Sequence, residues 1–350
     1  MADLAEDEYA KPLFVNGRYE NPFPTWKQPG FFNLCKYFLY DTDESSILSQ
    51  EDLDTNLPVL QPDFKDFHSS PPDIMCVIWL GHSSLLVKFD GVTILTDPIF
   101  SKRCSPFQFI GPKRFRDAPC QISDLPPIDI VIISHNHYDH MDYETIVNLQ
   151  KKYKSSLTWF VPMGDKRWME ASGCTNVREM TWWQEEILAD HIGITVACLP
   201  CQHWSSRKGY LGVNRSLWSS WCVIGPTQRF YFAGDTGYCE AFKQIGHRYG
   251  PFSLAGIPIG AYKPRWFKQA QHVAPEESVQ IHLDVRSEKS IGIHWGTFRL
   301  THEHYLEPKE KLREEMEKQN LSPQDFFTLN HGEIHLICNQ KPNEHSSENC

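Results

Sequence analysis

Ile130-Val131-Ile132-Ile133-Ser134-His135-Asn136-His137-Tyr138-Asp139-His140 sets an uninterrupted β-branched run directly before a cluster of imidazoles and a carboxylate. Four β-branched residues in a row fit a strand buried on both faces. Behind them, three histidines and one aspartate fall within the six positions 135–140. Imidazole nitrogens and carboxylate oxygens suit zinc, and a loop at a strand end can turn several of them onto one point. Along extended backbone His135 and His137 point the same way, while Asp139 and His140 lie beyond the turn, within reach of a second ion. A lone histidine is usually a satisfied core or surface residue. Four ligand-type residues in the order HxHxDH read instead as a metal site.

Two metal sites need more ligands than this loop supplies, and three further candidates each follow an apolar run. His203 comes after Ile194–Leu199, Asp235 after Phe230–Ala233 in Gly234-Asp235-Thr236-Gly237, and His294 after Ser290–Ile293. Taken singly, each is an ordinary turn residue, Asp235 above all. Their shared placement at strand ends marks them, because functional groups collect on loops positioned by a rigid sheet. Asp97, in Thr96-Asp97-Pro98, reads equally as a turn former and as a carboxylate that orients a ligand imidazole.

Outward from this loop the chain reads as short strands. Val77–Leu80 runs to Gly81, Leu85–Phe89 to Asp90-Gly91, and Val92–Thr96 to Asp97-Pro98. Asp90-Gly91 between two apolar runs signals a hairpin. Further strands are expected at Ile194–Leu199, Trp218–Ile224, Phe230–Ala233, Leu254–Pro258 and Ser290–Ile293. A helix is expected behind Asp142 as N-cap, with Ile146, Leu149 and Tyr153 on one face. Others should start near Pro275, with Glu276 and Glu277 in the first turn, and near Pro308. Helices falling between groups of strands imply an α/β protein of two packed sheets flanked by helices.

The 350 residues suffice for one large domain, and 41% hydrophobic with 22% charged residues is an ordinary globular balance. A net charge of −10 speaks against a general affinity for nucleic acid, which needs a basic surface. MADLAEDEYAKPL has neither the charge nor the apolar core of a secretory signal, and no run is long enough for a transmembrane helix. An intracellular protein, dissolved or attached to the cytosolic face of internal membranes, is the expectation. Eleven scattered cysteines then read as free thiols, and Cys198-x-x-Cys201 lacks the second pair of a structural zinc site. Residues 1–74 are rich in Pro, Asp and aromatics, and read as an extension packed on the core. Within them Phe31–Tyr40 is apolar enough to be a packed helix or a membrane-docking patch. Residues 339–350 read as a polar tail.

Several longer stretches resemble one family. Trp79-Leu80-Gly81-His82, Thr96-Asp97-Pro98-Ile99-Phe100, Gly111-Pro112-Lys113-Arg114-Phe115-Arg116 and the loop from Ser134 to His140 are similar to the N-acyl-phosphatidylethanolamine-hydrolysing phospholipases D, of the metallo-β-lactamase superfamily. So are Phe232–Cys239, Ile257–Tyr262, Gln271-His272-Val273 with Pro275-Glu276-Glu277, and Ile293–Phe298; the similarity begins at Asn21–Lys27. The resemblance implies an αββα sandwich over residues 75–338 and two zinc ions per chain. By the family pattern His135, His137 and His203 hold one ion, Asp139, His140 and His294 the other. Asp235 bridges them together with a water or hydroxide, which makes Asp139 and Asp235 the catalytic carboxylates. Tyr138 and His272 match positions that contact the phospholipid head, although His272 also suits a surface position before a helix.

The activity implied is hydrolysis of N-acyl-phosphatidylethanolamine to phosphatidic acid and an N-acylethanolamine, by a homodimer attached peripherally to membrane. Lys113-Arg114-Phe115-Arg116 reads either as a contact for anionic lipid heads or as a solvated charged turn. Two departures limit the carry-over. The N-terminus is shorter than the polar leader of vertebrate members, and Ser205–Gly212 does not match closely. Alternatives of other classes are a lactonase or soluble phosphodiesterase of the same fold, and a non-catalytic zinc-binding scaffold.

Overall fold

Why the run at 130–133 is apolar throughout is plain in the computed structural model, which describes residues 9–28, 30, 36–37, 49–71, 74–207, 209 and 211–337. Ile130 and Ile132 point into a core shared by two sheets, while Val131 and Ile133 point into a second core beneath helices. A strand covered on both faces has no side for polar residues.

In chain order the strands are β1 (Leu13–Val15), β2 (Arg18–Glu20), β3 (Met75–Gly81), β4 (Ser84–Phe89), β5 (Val92–Thr96), β6 (Ile130–Ile132), β7 (Thr158–Pro162) and β8 (Val177–Met180). They continue with β9 (Glu185–Ile187), β10 (Thr195–Leu199), β11 (Ser220–Ile224), β12 (Arg229–Phe232), β13 (Leu254–Pro258), β14 (Ser290–Ile293), β15 (Phe326–Phe327) and β16 (Ile334–Ile337). Among the described residues they form two seven-stranded sheets, ordered β16-β3-β4-β5-β6-β7-β8 and β15-β14-β13-β12-β11-β10-β9, beside the small β1–β2 hairpin. Asp90 and Gly91 turn β4 into β5 with φ of 46° and 77°, as a two-residue hairpin of this hand requires. Strands β5 to β8 and β12 to β15 run parallel within their sheets, so their C-terminal ends gather at common edges.

Helices cover the outer faces. The Tyr143–Tyr153 helix buries Ile146 and Leu149 against Val131, Trp159 and Val161. On the opposite sheet lie Ala241–Tyr249, Pro275–Asp284 and Glu307–Lys318, the last two with a proline in the first turn as expected. Two local readings change. Asp142 occupies the N-cap without capping, because its carboxylate accepts from the Thr145 hydroxyl and from Ser101 N–H. Strand β11 begins at Ser220 rather than Trp218, since Trp218 Nε1 donates to Cys201 O and Ser219 N–H to Ser134 O.

Of the N-terminal region, Phe23 is buried beside Trp182. Asn21 Nδ2 donates to His203 O at 2.6 Å, so this segment braces the loop that carries a candidate ligand. The apolar stretch Phe31–Tyr40 lies, apart from Lys36 and Tyr37, outside the described residues, as does the tail from 338.

Candidate metal centre

At the C-terminal end of β6 the backbone turns sharply and brings the histidine loop to the mouth of the sandwich. The Ser134 N–H donates to Asp97 Oδ1 at 2.7 Å, which ties this loop to the end of β5. Gly234 approaches the same loop from β12; a Cβ there would stand 2.6 Å from Ser134 Cβ, and its φ of 61° also favours glycine.

The seven candidate ligands come together in two groups. His135 Nε2 and His137 Nδ1 lie 2.8 Å apart, with His203 Nε2 3.4 Å from His137 Nδ1. On the other side His140 Nε2 and His294 Nε2 lie 3.2 and 3.5 Å from Asp139 Oδ2. Asp235 stands between the groups. Its Oδ2 is 3.1 Å from His140 Nε2 and 3.0 Å from His294 Nε2, and 3.9 and 3.8 Å from His135 and His203 Nε2.

Neighbouring groups set which nitrogen each ring presents. His203 Nδ1 faces Gln271 O at 2.9 Å, His135 Nδ1 faces Ser134 Oγ at 2.9 Å, and His140 Nδ1 faces Asp97 Oδ2 at 2.7 Å. Each therefore turns Nε2 inward, the arrangement in which an outer partner orients a metal ligand. Asp97 thus contacts an imidazole, and its turn geometry (φ 33°) coexists with that contact.

Electrostatics favour a cation here. Burial holds His135 well below its ordinary pKa, and brings His137 to about 4 and His203 to about 3. Asp139 and Asp235 are held well below the usual carboxylate range: burial opposes this, but the surrounding imidazoles outweigh it. Conversely Asp235, Asp139 and Asp97 overcome burial and raise His140 well above its ordinary value; Asp235 and Asp139 push His294 up to about 9. Nε2 of His140 and His294 and Oδ1 of Asp235 are buried without a hydrogen-bond partner. Orphaned inward-facing donor atoms of this chemistry fit a metal centre.

His82 completes one group although the spacing of the loop gave no hint of it. It sits on the β3–β4 turn at φ 52°, its Nε2 3.0 Å from Asp139 Oδ2, and its carbonyl accepts the His294 N–H at 3.0 Å. Burial, followed by the charge of His294, brings its pKa to about 3, so a neutral ring donates to Asp139.

A cleft of about 290 Å³ opens over the centre, with Tyr138, Trp204, Lys268 and His272 in its lining. Tyr138 donates its hydroxyl to Arg207 O at 2.6 Å, and the Arg207 side chain stacks over its ring. His272 is only 8% exposed, with Nδ1 3.9 Å from Asp235 Oδ2, which removes the surface reading of that residue. Within Lys113-Arg114-Phe115-Arg116 both readings change for the two arginines, while Lys113 stays exposed. Arg114 and Arg116 are buried, one donating to Ile99 O and Ser101 O and the other to Asp54.

Residues 92–295 match the Beta-lactamase superfamily domain. A curated relative, N-acyl-phosphatidylethanolamine-hydrolyzing phospholipase D 1 of Caenorhabditis elegans, is 44% identical over 94% of this chain and 95% of its own. The chain belongs to the N-acyl-phosphatidylethanolamine-hydrolysing phospholipase D family. A mitochondrial phospholipase D of the same name from Saccharomyces cerevisiae is 40% identical over 86% of this chain and 72% of its own. The solved structure of Igni18, a metallo hydrolase from Ignicoccus hospitalis, shares the fold at 21% identity, with a TM-score of 0.56 over 75% of this chain and 98% of that one. Membership in this phospholipase D family makes the protein a hydrolase of the phospholipase D type, with a candidate metal centre in the expected fold.

Proposed function

We propose that the protein hydrolyses N-acyl-phosphatidylethanolamine to phosphatidic acid and an N-acylethanolamine at a centre of two zinc ions. The observation that carries this reading is Asp235 Oδ2, placed between two groups of inward-turned donor atoms. In it His135, His137 and His203 would hold one ion and Asp139, His140 and His294 the other, with Asp235 serving both. Two ions bound there supply Lewis-acid polarisation of a phosphoryl oxygen and a water that ionises near neutral pH.

The chain's own residues do the rest. Asp97 and His82 hold His140 and Asp139 in position by the contacts described above. Tyr138 and His272 line the cleft beside the centre and meet the lipid head. Two relatives are named for this substrate, and a phospholipid headgroup would enter the cleft over the centre while its acyl chains stay outside.

Peripheral attachment to membrane is part of the proposal. Among the described residues no helix is long and apolar enough to cross a membrane. Instead, Phe107, Phe109 and Ile110 stand 57, 81 and 59% exposed at the tip of a loop. The loop is held by bonds of its own: Cys104 N–H to Pro112 O, Arg114 N–H to Lys102 O, and Gln108 paired with the Arg103 backbone. Its roots, Cys104 and Pro112, line the cleft, and Lys102 and Lys113 flank it as exposed cations. An apolar tip flanked by two cations suits a phospholipid surface, which favours a lipid over a soluble diester. A cytosolic face is consistent with eight buried free thiols among the described residues; the homodimer rests on the family resemblance alone. Incubating the purified zinc-loaded protein with a phospholipid panel tests the reading. Mass spectrometry should find phosphatidic acid and N-acylethanolamine; a released fatty acid in their place would refute it.

A further inference from the structure

Among the described residues lining the cleft, Lys268 is the single lysine or arginine. It closes the short Arg265–Lys268 helix, whose end is fixed to the centre. Lys268 O accepts from Gln271 and His272 N–H at 2.8 and 2.9 Å, and Gln271 O in turn faces His203 Nδ1 at 2.9 Å. Arg265 clamps the same turn, donating to His272 O and to Glu277 Oε2 at 2.7 Å each. The ammonium of Lys268 sits 5.7 Å from the ring centroids of Tyr37 and Phe267, and pairs with no carboxylate among the described residues. Other lysines and arginines nearby are engaged: Lys263 with Glu307, Arg265 with Glu277, Arg207 with the carbonyls of Asn136 and Met141.

Burying an ammonium without an ion-pair partner is costly, and an anion that enters beside it offsets the cost. Burial accordingly lowers the pKa of Lys268, against the pull of Glu303, Asp235 and Asp139. None of those carboxylates comes within ion-pair distance of the ammonium, so Lys268 is left as the one lysine or arginine in the described cleft lining that can meet an anionic visitor.

We propose that Lys268 is the phosphate anchor of this cleft, its ammonium binding a non-bridging phosphoryl oxygen and so selecting anionic phosphoesters over neutral esters. The identity of the diester rests on the function proposed above, whereas the anchoring itself is a matter of phosphate binding. Calorimetric titration of the zinc-loaded protein with inorganic phosphate and with dioctanoylphosphatidic acid reads it directly. Lys268→Met should weaken both by about tenfold to a hundredfold, the range of a charge-assisted hydrogen bond. Lys268→Arg should recover most of that affinity, and zinc content and thermal midpoint should stay at wild-type values in both variants. If Lys268→Met does not fold, Lys268→Gln takes its place as the uncharged variant. Phosphate affinity unchanged on loss of the charge, or absent from the wild type, overturns the proposal. A wild type that binds phosphate through Lys268 yet leaves N-acyl-phosphatidylethanolamine intact supports the anchor and sinks the substrate assignment instead.

Discussion

Asp97 Oδ2 lies 2.7 Å from His140 Nδ1, and both groups are fully buried. The same carboxylate accepts the Ser134 N–H and hydroxyl, so one acid at the end of β5 fixes a ring orientation and the path of the histidine loop.

Asp97→Asn keeps the shape of that contact and removes its charge. The amide presents either a donor or a weaker acceptor to Nδ1, and the tautomer with a free Nε2 is no longer enforced. Zinc should fall from two ions per chain toward one, with activity down about tenfold to a hundredfold. Elemental analysis of the purified variant checks it; two tightly held ions would show that Asp97 is only a turn former.

Asp235→Asn should lower turnover by on the order of a hundredfold or more, since a bridging role needs a charged oxygen. Its Oδ1 is buried without a partner, and Oδ2 faces only imidazoles, so the core does not depend on it. Circular dichroism should be unchanged. Near-normal turnover would exclude the bridge.

The parts of this centre legible in the sequence are those written locally. The run at 130–133 is apolar because both its faces are covered, and HxHxDH is dense enough to stand out. His203, Asp235 and His294 could be picked because strand ends carry them. His82 could not: a single histidine in Gly81-His82-Ser83-Ser84 looks like any turn, and its role depends on Asp139 arriving from 57 residues away. Arg114 and Arg116 misled for a related reason, as a charged run looks solvated until tertiary acceptors are seen. Strand β7 did carry a signal in Trp159-Phe160-Val161, while β9 and β15 are too short and mixed to carry one.

Phe107→Ser with Phe109→Ser should weaken sedimentation with phosphatidylcholine–phosphatidic acid vesicles by about tenfold or more, from the apolar area withdrawn from the bilayer. The two rings stack on each other at 5.5 Å and are exposed, so stability and zinc content should not change. Unaltered vesicle binding would move the membrane contact elsewhere on the surface.

Asp165 gives the fold a pH dependence of its own. Burial pushes its carboxyl up to about 7, against hydrogen bonds from Ser216 and Asn136. An acid whose folded pKa exceeds its unfolded value keeps its proton in the native state while the unfolded chain loses it. Stability therefore declines as pH rises from about 4 to about 7, by at most about 4 kcal/mol, and levels off above. Asp165→Asn should flatten that slope in urea denaturation across the same window. A slope identical to wild type would place the titration elsewhere.

The bond that breaks can be read with isotopic water. Attack at phosphorus with departure of the ethanolamide oxygen leaves the glycerol phosphate whole and makes a new P–O bond to solvent oxygen. Attack at an acyl carbonyl would instead release a fatty acid and leave the diester intact. The first course is expected because Tyr138, Lys268 and His272 line the cleft over the centre, while the apolar loop tip lies outside it. In oxygen-18 water one label should appear in the phosphate of phosphatidic acid and none in the N-acylethanolamine. Label in the alcohol would mean cleavage of the carbon–oxygen bond, and label in a fatty acid would mean acyl hydrolysis. Either result would overturn the phospholipase D course even with both metal sites filled.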